Sequence, residues 1–327
     1  MTPTEHQPRD LFTRRAVQVC VLLPIRGVVI SITVAILYLF SVATLTAVAF
    51  LNTTLNLEEF PTTREVIWIR DRKIPSQIRW RALAQGLYPL PLVVWRRQYH
   101  RLVRLCARTV MFSLGYHKLR RRGKRLQKSD GVDIMISNHR GLIDALTLIV
   151  AIEDMPIFVS GEDLLDIPWF GTIALALDVV IIHASDRRSV RQDINEIMKY
   201  AGNRQIIMFP EGCASLGTHV RLWPHHGVFT LCPIHRMQPV SIRYEGLGEY
   251  SPSWVSSLPD LFSRTIVLMM REANNAEVMF HSRIVPPANA SAVEICEMFR
   301  HRIACSLNIP LCDPKTGAYR IPRTVPY

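Results

Sequence analysis

A strand that passes directly into a helix is encoded by VDIMISNHRGLIDALTLIVAI, residues 132–152. Residues 132–137 are short and mostly apolar, as in a buried strand, whereas residues 142–152 have the apolar density of a helix that packs on a sheet. His139 then lies in the turn between them. Loops at the carboxyl ends of strands are where open α/β sheets bind ligands. The segment therefore predicts an α/β fold with a polar site at a strand end.

His139 and Asp144 of this segment can form a proton-transfer pair. An imidazole can take a proton from a hydroxyl near neutral pH, and a carboxylate can orient the ring. Five residues apart on a continuous helix the two side chains would diverge, so their pairing requires His139 to precede the regular helix. The structural alternative is a turn histidine beside an aspartate that is favoured at a helix N-terminus. These residues alone leave both interpretations open.

A second strand end carries another carboxylate. Residues 205–209 form a second buried strand, which ends in Phe209-Pro210-Glu211-Gly212, so an acidic side chain and a flexible glycine follow it. This second motif favours the interpretation of both strand ends as one functional site.

The motifs resemble those of the glycerolipid (lysophospholipid) acyltransferase family. Asn138 and His139, with Asp144 five residues after the histidine, come first, and the Phe-Pro-Glu-Gly motif follows in the same order as in that family. Residues 158–171 resemble its second block, and residues 238–244 resemble its fourth. Four ordered blocks are more specific than any one of them, and the resemblance covers roughly residues 110–305. It implies a mixed sheet covered by helices.

The resemblance also implies a mechanism. His139 would be the general base that deprotonates an acceptor hydroxyl, and Asp144 would hold its tautomer. The hydroxyl would attack an acyl thioester directly, without an acyl-enzyme. The thioester of coenzyme A or of acyl carrier protein is a co-substrate, and no metal or prosthetic cofactor is implied.

The remaining motif residues acquire roles by the same resemblance. Glu211 and the backbone of Gly212 would position the glycerol end of the acceptor. Pro239 and Val240 would lie near the acyl-thioester pocket. Asn138, Phe209 and Pro210 complete the motifs and support the assignment.

Two departures from the family pattern bear on the acceptor. Ala184 and Ala214 stand where many members have an arginine suited to a substrate phosphate. We therefore expect a lysophospholipid or related lysolipid acceptor. One alternative is a 1-acylglycerol-3-phosphate acyltransferase that makes phosphatidic acid, with Arg187 or Arg188 as the phosphate partner. Another is a catalytically weakened domain kept as a membrane- or protein-binding module.

An uncharged apolar run at residues 27–51 predicts a membrane anchor. At about 1.5 Å per residue it is long enough to cross a hydrocarbon core of about 30 Å with some tilt. A secretory signal is the rival interpretation, but signal cores are usually only about 7–15 residues long. Residues 82–95 are also uncharged but contain two prolines, which favours an interfacial or re-entrant segment.

The formal net charge of +12 is concentrated at residues 96–128, which contain no acidic residue. Arg97, Arg101, Arg104 and Arg108 recur at helical spacing, with apolar residues on another side, so we expect an amphipathic basic helix. Anionic head groups of a bilayer can attract such a face. A neighbouring anchor and the lack of interleaved aromatic residues favour lipid, with no nucleic acid partner.

The chain is predicted to consist of a membrane-anchoring region, residues 1–95, and an acyltransferase domain, residues 96–327. Further strands are expected at residues 266–270 and 277–282, followed by a helix at residues 290–307. We expect the catalytic domain on the cytoplasmic face, of a bacterial inner membrane or of the endoplasmic reticulum. A hairpin would place it there, either within residues 16–51 or through the return of residues 82–95. The sequence does not choose between them.

Overall fold

The computed structural model describes residues 17–54, 90–161, 164–165, 167, 169–182, 194, 198, 203–215, 217–224, 226–232, 236–245, 258–312 and 319–320. In chain order these residues form α1 Leu23–Thr54, α2 Leu90–Ser113, β1 Lys118–Arg122, β2 Ile134–Ser137, α3 Ile143–Ala151, β3 Ile157–Gly161, α4 Phe170–Ala176, β4 Val180–Ile182, β5 Ile206–Met208, β6 Met237–Tyr244, α5 Leu258–Met270, β7 Asn275–Phe280, α6 Ala292–Leu307, β8 Leu311–Cys312 and β9 Tyr319–Arg320. A π-helical turn, Gln18–Leu22, precedes α1, and a 3₁₀ helix, His226–Leu231, precedes β6.

Seven of the described strands form one mixed sheet in the order β1-β7-β6-β2-β5-β3-β4. β6 and β7 pair antiparallel, and the other neighbouring pairs are parallel. β2 lies between β5 and β6, so the carboxyl ends of these three parallel strands meet at one edge. This topology confirms the predicted mixed sheet and brings the two sequence motifs to adjacent strand ends.

Alternate strand residues enter two separate cores, one on each face of the sheet. Met135 and Ile207 belong to the core formed with α2, α3, α4 and α5. Ile134 and Ile206, their neighbours in sequence, belong to the core formed with α6 and the 3₁₀ helix. Because both faces are covered, the strands read as short, nearly continuous apolar runs.

The first helix is the one described helix long and apolar enough to cross a membrane, over Cys20–Ala47, by length and composition. Only 22% of its apolar window is buried in the protein, so most of its apolar surface faces outward. It runs without a break from Leu23 to Thr54, so the described residues contain no hairpin within this run. Arg26 fixes it to α5 by donating to the carbonyl oxygen of Met269 over 2.6 Å.

The second helix confirms the amphipathic pattern. Its basic residues Arg97, Arg101 and Arg108 are exposed, whereas Val103 and Cys106 are buried. Tyr99 is also buried and shares a hydrogen bond of 2.7 Å with the Ser41 hydroxyl of α1. The helix passes through residues 95–96 without interruption, and the division of the chain there stays a prediction.

One predicted strand is wrong. Residues 266–270 form the last part of the helix Leu258–Met270 instead of a strand. The run is short and rich in β-branched and other apolar residues, and such runs occur both in buried strands and in helix faces. The other two late elements are confirmed, since β7 overlaps residues 277–282 and α6 lies within residues 290–307.

Candidate functional site

His139 and Asp144 form a hydrogen-bonded pair at the carboxyl end of β2. The Nδ1 atom of His139 lies 2.8 Å from Oδ2 of Asp144. The histidine precedes the helix, which begins at Ile143, as the pairing requires. The aspartate side chain is fully buried, whereas the histidine side chain is 25% exposed. The pair therefore has a buried end and an end open to solvent.

The buried carboxylate determines the tautomer of the imidazole. An ionised carboxylate only accepts hydrogen bonds, so Nδ1 of His139 must carry the proton in their shared bond. The neutral ring then has its lone pair on Nε2. Such a nitrogen can act as a general base toward a hydroxyl.

Asp144 is surrounded by donors. Its Oδ2 atom also accepts the backbone N–H of Arg140 and, over 3.0 Å, that of Gly141. Its Oδ1 atom accepts the hydroxyl of Tyr244 over 2.8 Å. Tyr244 is also within 2.9 Å of the Thr147 hydroxyl, one turn along α3. These donors give both oxygens of the buried carboxyl hydrogen-bond partners inside the protein.

The Phe-Pro-Glu-Gly motif follows β5 and contacts the histidine backbone. The backbone N–H of His139 donates to Oε1 of Glu211 over 2.9 Å. The backbone N–H and the hydroxyl of Ser215 both donate to the His139 carbonyl oxygen over 2.9 Å. The main chain of the histidine is thus held on both sides by the loop after β5.

A turn shapes the start of this loop. The Gly212 N–H donates to the Phe209 carbonyl oxygen over 3.1 Å, and Gly212 has a φ of +69°, which glycine adopts without strain. The Phe209 ring stacks on the His139 imidazole with ring centroids 4.5 Å apart. The His139 ring is therefore oriented by two contacts, the stacked Phe209 ring and the hydrogen bond to Asp144.

Glu211 is a buried carboxyl at the site. Burial raises its pKa to about 7, an effect partly offset by the hydrogen bond from the His139 N–H. Its second oxygen, Oε2, is buried and has no hydrogen-bond partner among the described residues. With a pKa near 7, such a carboxyl can either donate a hydrogen bond to a ligand hydroxyl or accept one from it near neutral pH.

Asn138 ties the histidine turn to β6. Its side-chain amide donates to the Ile242 carbonyl oxygen over 3.0 Å, and its side-chain oxygen accepts the Ile242 N–H over 2.8 Å. Pro239 and Val240 pair in register with Ile136 and Ser137 of β2. The role predicted for Pro239 and Val240 at an acyl pocket stays a prediction.

Arg140, which follows the catalytic-base candidate, is buried rather than solvated. A side chain at Gly217 would collide with its guanidinium group, so the arginine lies directly against the loop after Glu211. Burial lowers the pKa of Arg140, and the nearby Asp144 carboxylate counteracts that effect. The site thus contains a buried cation beside its two carboxyl groups.

The structure brings together Asn138, His139, Asp144, Phe209, Glu211 and Gly212, and the roles predicted for these residues and for Pro210 stay predictions. Arg187, Arg188 and Ala184 lie outside the described residues, so their predicted relation to the acceptor stays a prediction. In the described part of the chain, no group of three or more histidine, cysteine or acidic residues could hold a metal ion.

Three residues of the site had no role in the sequence analysis. They are Arg140, Ser215 and Tyr244. Arg140 and Ser215 lie close to motif residues in the sequence, and this proximity was the one sign that they belong to the site. Tyr244 is a hundred residues away from Asp144 in sequence, and only the β2–β6 pairing brings it close.

The chain is similar to known acyltransferases in sequence. A family model described as Acyltransferase matches residues 118–243. A lysophospholipid acyltransferase of Arabidopsis thaliana is 29% identical over 225 residues, which are 67% of this chain and 40% of that protein. Lysophosphatidylcholine acyltransferase 1 of Rattus norvegicus is 28% identical over 195 residues, which are 58% of this chain and 35% of that protein. The matched region thus spans 40% and 35% of the lengths of these curated relatives.

Among solved structures, the crystal structure of a 1-acyl-sn-glycerophosphate acyltransferase from Thermotoga maritima aligns with 85% of this chain and 96% of that one, with a TM-score of 0.41 and 15% identity. The family model begins with β1 and ends one residue before the end of β6, so it includes the two strand ends that hold His139, Asp144 and Glu211. This match and the relatives support the resemblance of the chain to the glycerolipid (lysophospholipid) acyltransferase family.

Proposed function

We propose that this protein transfers a fatty acyl group from a thioester of coenzyme A or acyl carrier protein to the hydroxyl of a lysophospholipid. One observation carries the proposal. His139 binds the fully buried Asp144 through Nδ1, while its own side chain is partly exposed at a strand end. This arrangement leaves Nε2 as the base and gives it access to a ligand.

The proposed reaction needs no covalent intermediate with the protein. Nε2 of His139 takes the proton of the acceptor hydroxyl as the hydroxyl oxygen attacks the thioester carbonyl carbon. The carbon–sulfur bond then breaks, and the thiolate takes the proton from the imidazolium. The new ester and the free thiol leave, and His139 returns to its neutral form. Asp144 stabilises the transient imidazolium through the Nδ1–H bond.

The acceptor is proposed to lie against Glu211. The buried Oε2 atom of this residue can hydrogen-bond a hydroxyl or ester group of the glycerol backbone. The names of the relatives support a lysophospholipid acceptor, since they include a lysophospholipid and a lysophosphatidylcholine acyltransferase. Ala214, which replaces a family arginine beside Glu211, also supports an acceptor without a terminal phosphate.

Attachment to a membrane is proposed to present the site to its lipid substrate. The apolar outer surface of α1 and the exposed arginines of α2 support this proposal. Each basic residue near an anionic bilayer surface contributes about 1 kcal/mol of attraction. We propose a bacterial inner membrane or the endoplasmic reticulum, with the catalytic domain on the cytoplasmic side.

An acceptor panel tests the proposed substrate class. The purified, detergent-solubilised protein would be given labelled acyl-CoA or acyl carrier protein together with lysolipids that differ only in head group. We expect transfer to lysophosphatidylcholine or lysophosphatidylethanolamine to exceed transfer to lysophosphatidate. Preferred transfer to lysophosphatidate would instead favour phosphatidic acid synthesis, with Arg187 or Arg188 as phosphate partners. No transfer to any acceptor would favour a weakened domain that binds lipid or protein.

A further inference from the structure

We propose that Tyr244 is a positioning residue for His139, through Asp144. The inference rests on the proposed acyl transfer, because it concerns the base of that reaction. Tyr244 is buried and donates its hydroxyl to Oδ1 of Asp144, while His139 binds Oδ2 of the same carboxylate. It therefore acts on His139 through the carboxylate that the two residues share.

The need for such a residue follows from the geometry of the carboxylate. His139 and the backbone N–H groups of Arg140 and Gly141 all bind Oδ2. Donors that converge on one oxygen allow the carboxylate to pivot about that oxygen. The Tyr244 bond holds the second oxygen and prevents the pivot. The plane of the carboxylate, and with it the direction of the His139 ring, is then fixed.

Tyr244 is itself held from three directions. Its hydroxyl also bonds the Thr147 hydroxyl over 2.9 Å. Because the tyrosine donates its only proton to Asp144, Thr147 is the donor in that second bond. The ring packs edge-on against Tyr116, with centroids 5.7 Å apart. Two residues earlier, Ile242 is bound on both its backbone groups by the Asn138 amide, so the end of β6 is fixed to the histidine turn.

The hydroxyl of Tyr244 stays protonated, and so remains a donor, over the working pH range. Burial raises the pKa of Tyr244 well above its usual value, and the adjacent Asp144 carboxylate raises it further. The hydroxyl therefore remains available to donate to Asp144.

Tyr116 offers a matched control. Like Tyr244, it is a buried tyrosine of the same core, and the two rings are in contact. Its hydroxyl has no hydrogen-bond partner in the described part of the chain. Tyr116→Phe and Tyr244→Phe thus remove the same atom from neighbouring positions, but only Tyr244→Phe removes a bond to Asp144.

The kinetic test compares these two variants with the wild type on the lysolipid that the wild type uses best. We expect Tyr244→Phe to lower kcat about 10- to 100-fold and to leave KM within about twofold, because the lost bond is one to a charged group. Tyr116→Phe should keep both constants. Rates are normalised to folded protein by circular dichroism and thermal unfolding. Equal kcat in the two variants, or a loss confined to KM, would overturn the inference.

A spectroscopic test does not depend on turnover. The proton on Nδ1 of His139 should give a downfield ¹H resonance in protein labelled with ¹⁵N-histidine, assigned by its absence from His139→Gln. We expect this resonance to move or to be lost by exchange in Tyr244→Phe and to be unchanged in Tyr116→Phe. A resonance unchanged in both variants would contradict the positioning role. If the wild type transfers no acyl group, the proposed function fails, yet this resonance still decides the role of Tyr244.

Discussion

The backbone N–H of His139 donates to Oε1 of Glu211 over 2.9 Å, which joins two motifs that lie 72 residues apart in sequence. The parallel pairing of β2 with β5 makes this bond possible, because both strands end at the same edge of the sheet. The proposed general base and the carboxyl proposed to hold the acceptor are therefore parts of one hydrogen-bonded site. A substitution of Glu211 is therefore expected to shift the backbone position of His139.

Asp144→Asn should abolish most of the activity while the binding of substrate is retained. An asparagine would bring an amide N–H group among the donors that now converge on the carboxylate, and it would favour the wrong tautomer of His139. We expect kcat to fall about a thousandfold or more, by analogy with other carboxylate–histidine pairs. Steady-state rates of acyl transfer measure the effect. The exposed Asp130→Asn is the control, and a variant at Asp144 with near wild-type kcat would contradict the role of the pair.

Glu211→Gln should change the pH dependence of stability. The pKa of Glu211 is raised from 4.5 to about 7 by burial, so between these values the folded state binds more protons than the unfolded state. Stability then falls as pH rises from about 5 to 8, by an amount on the order of 2–3 kcal/mol. The variant cannot ionise and should lose this dependence. Thermal unfolding of both proteins at pH 5 and pH 8 measures this change in stability. An equal change in the wild type and the variant would disprove the raised pKa of Glu211.

Asn138→Ala should destabilise the fold. The substitution leaves the N–H and carbonyl groups of Ile242 without their partners inside the protein. Buried polar groups without partners cost about 1–3 kcal/mol each, so we expect a loss of about 2–5 kcal/mol in the free energy of unfolding. Asn275→Ala removes an exposed bond to Glu245 and should cost less than about 0.5 kcal/mol. Equal unfolding transitions for the two variants would argue against a stabilising role of the Asn138–Ile242 hydrogen bonds.

The local part of this site could be predicted from the sequence. A short apolar run, a polar turn and an apolar helix identify where His139 must lie, and the spacing to Asp144 decides whether the two can meet. The strand predicted at residues 266–270 failed because a short apolar run carries no distinct period, and its place in the longer helix Leu258–Met270 depends on packing.

The long-range part of the site could not be predicted. Tyr244 reaches Asp144, and Ser215 reaches His139, only because β2 lies between β5 and β6 in the sheet. Strand order and register are set by tertiary packing, and nothing in the residues around Tyr244 or Ser215 indicates their partners.

Acyl transfer by wild type, His139→Ala and His117→Ala tests the central claim most directly. His117 is exposed and lies outside the site, so its variant controls for the loss of an imidazole. The three proteins would be assayed with the same labelled acyl-CoA and lysophospholipid after their folding is compared by thermal unfolding. We expect His117→Ala to match the wild type and His139→Ala to lose about two to four orders of magnitude in kcat, the usual contribution of a proton-transfer group. A folded His139→Ala protein that transfers acyl groups at the wild-type rate would contradict the account.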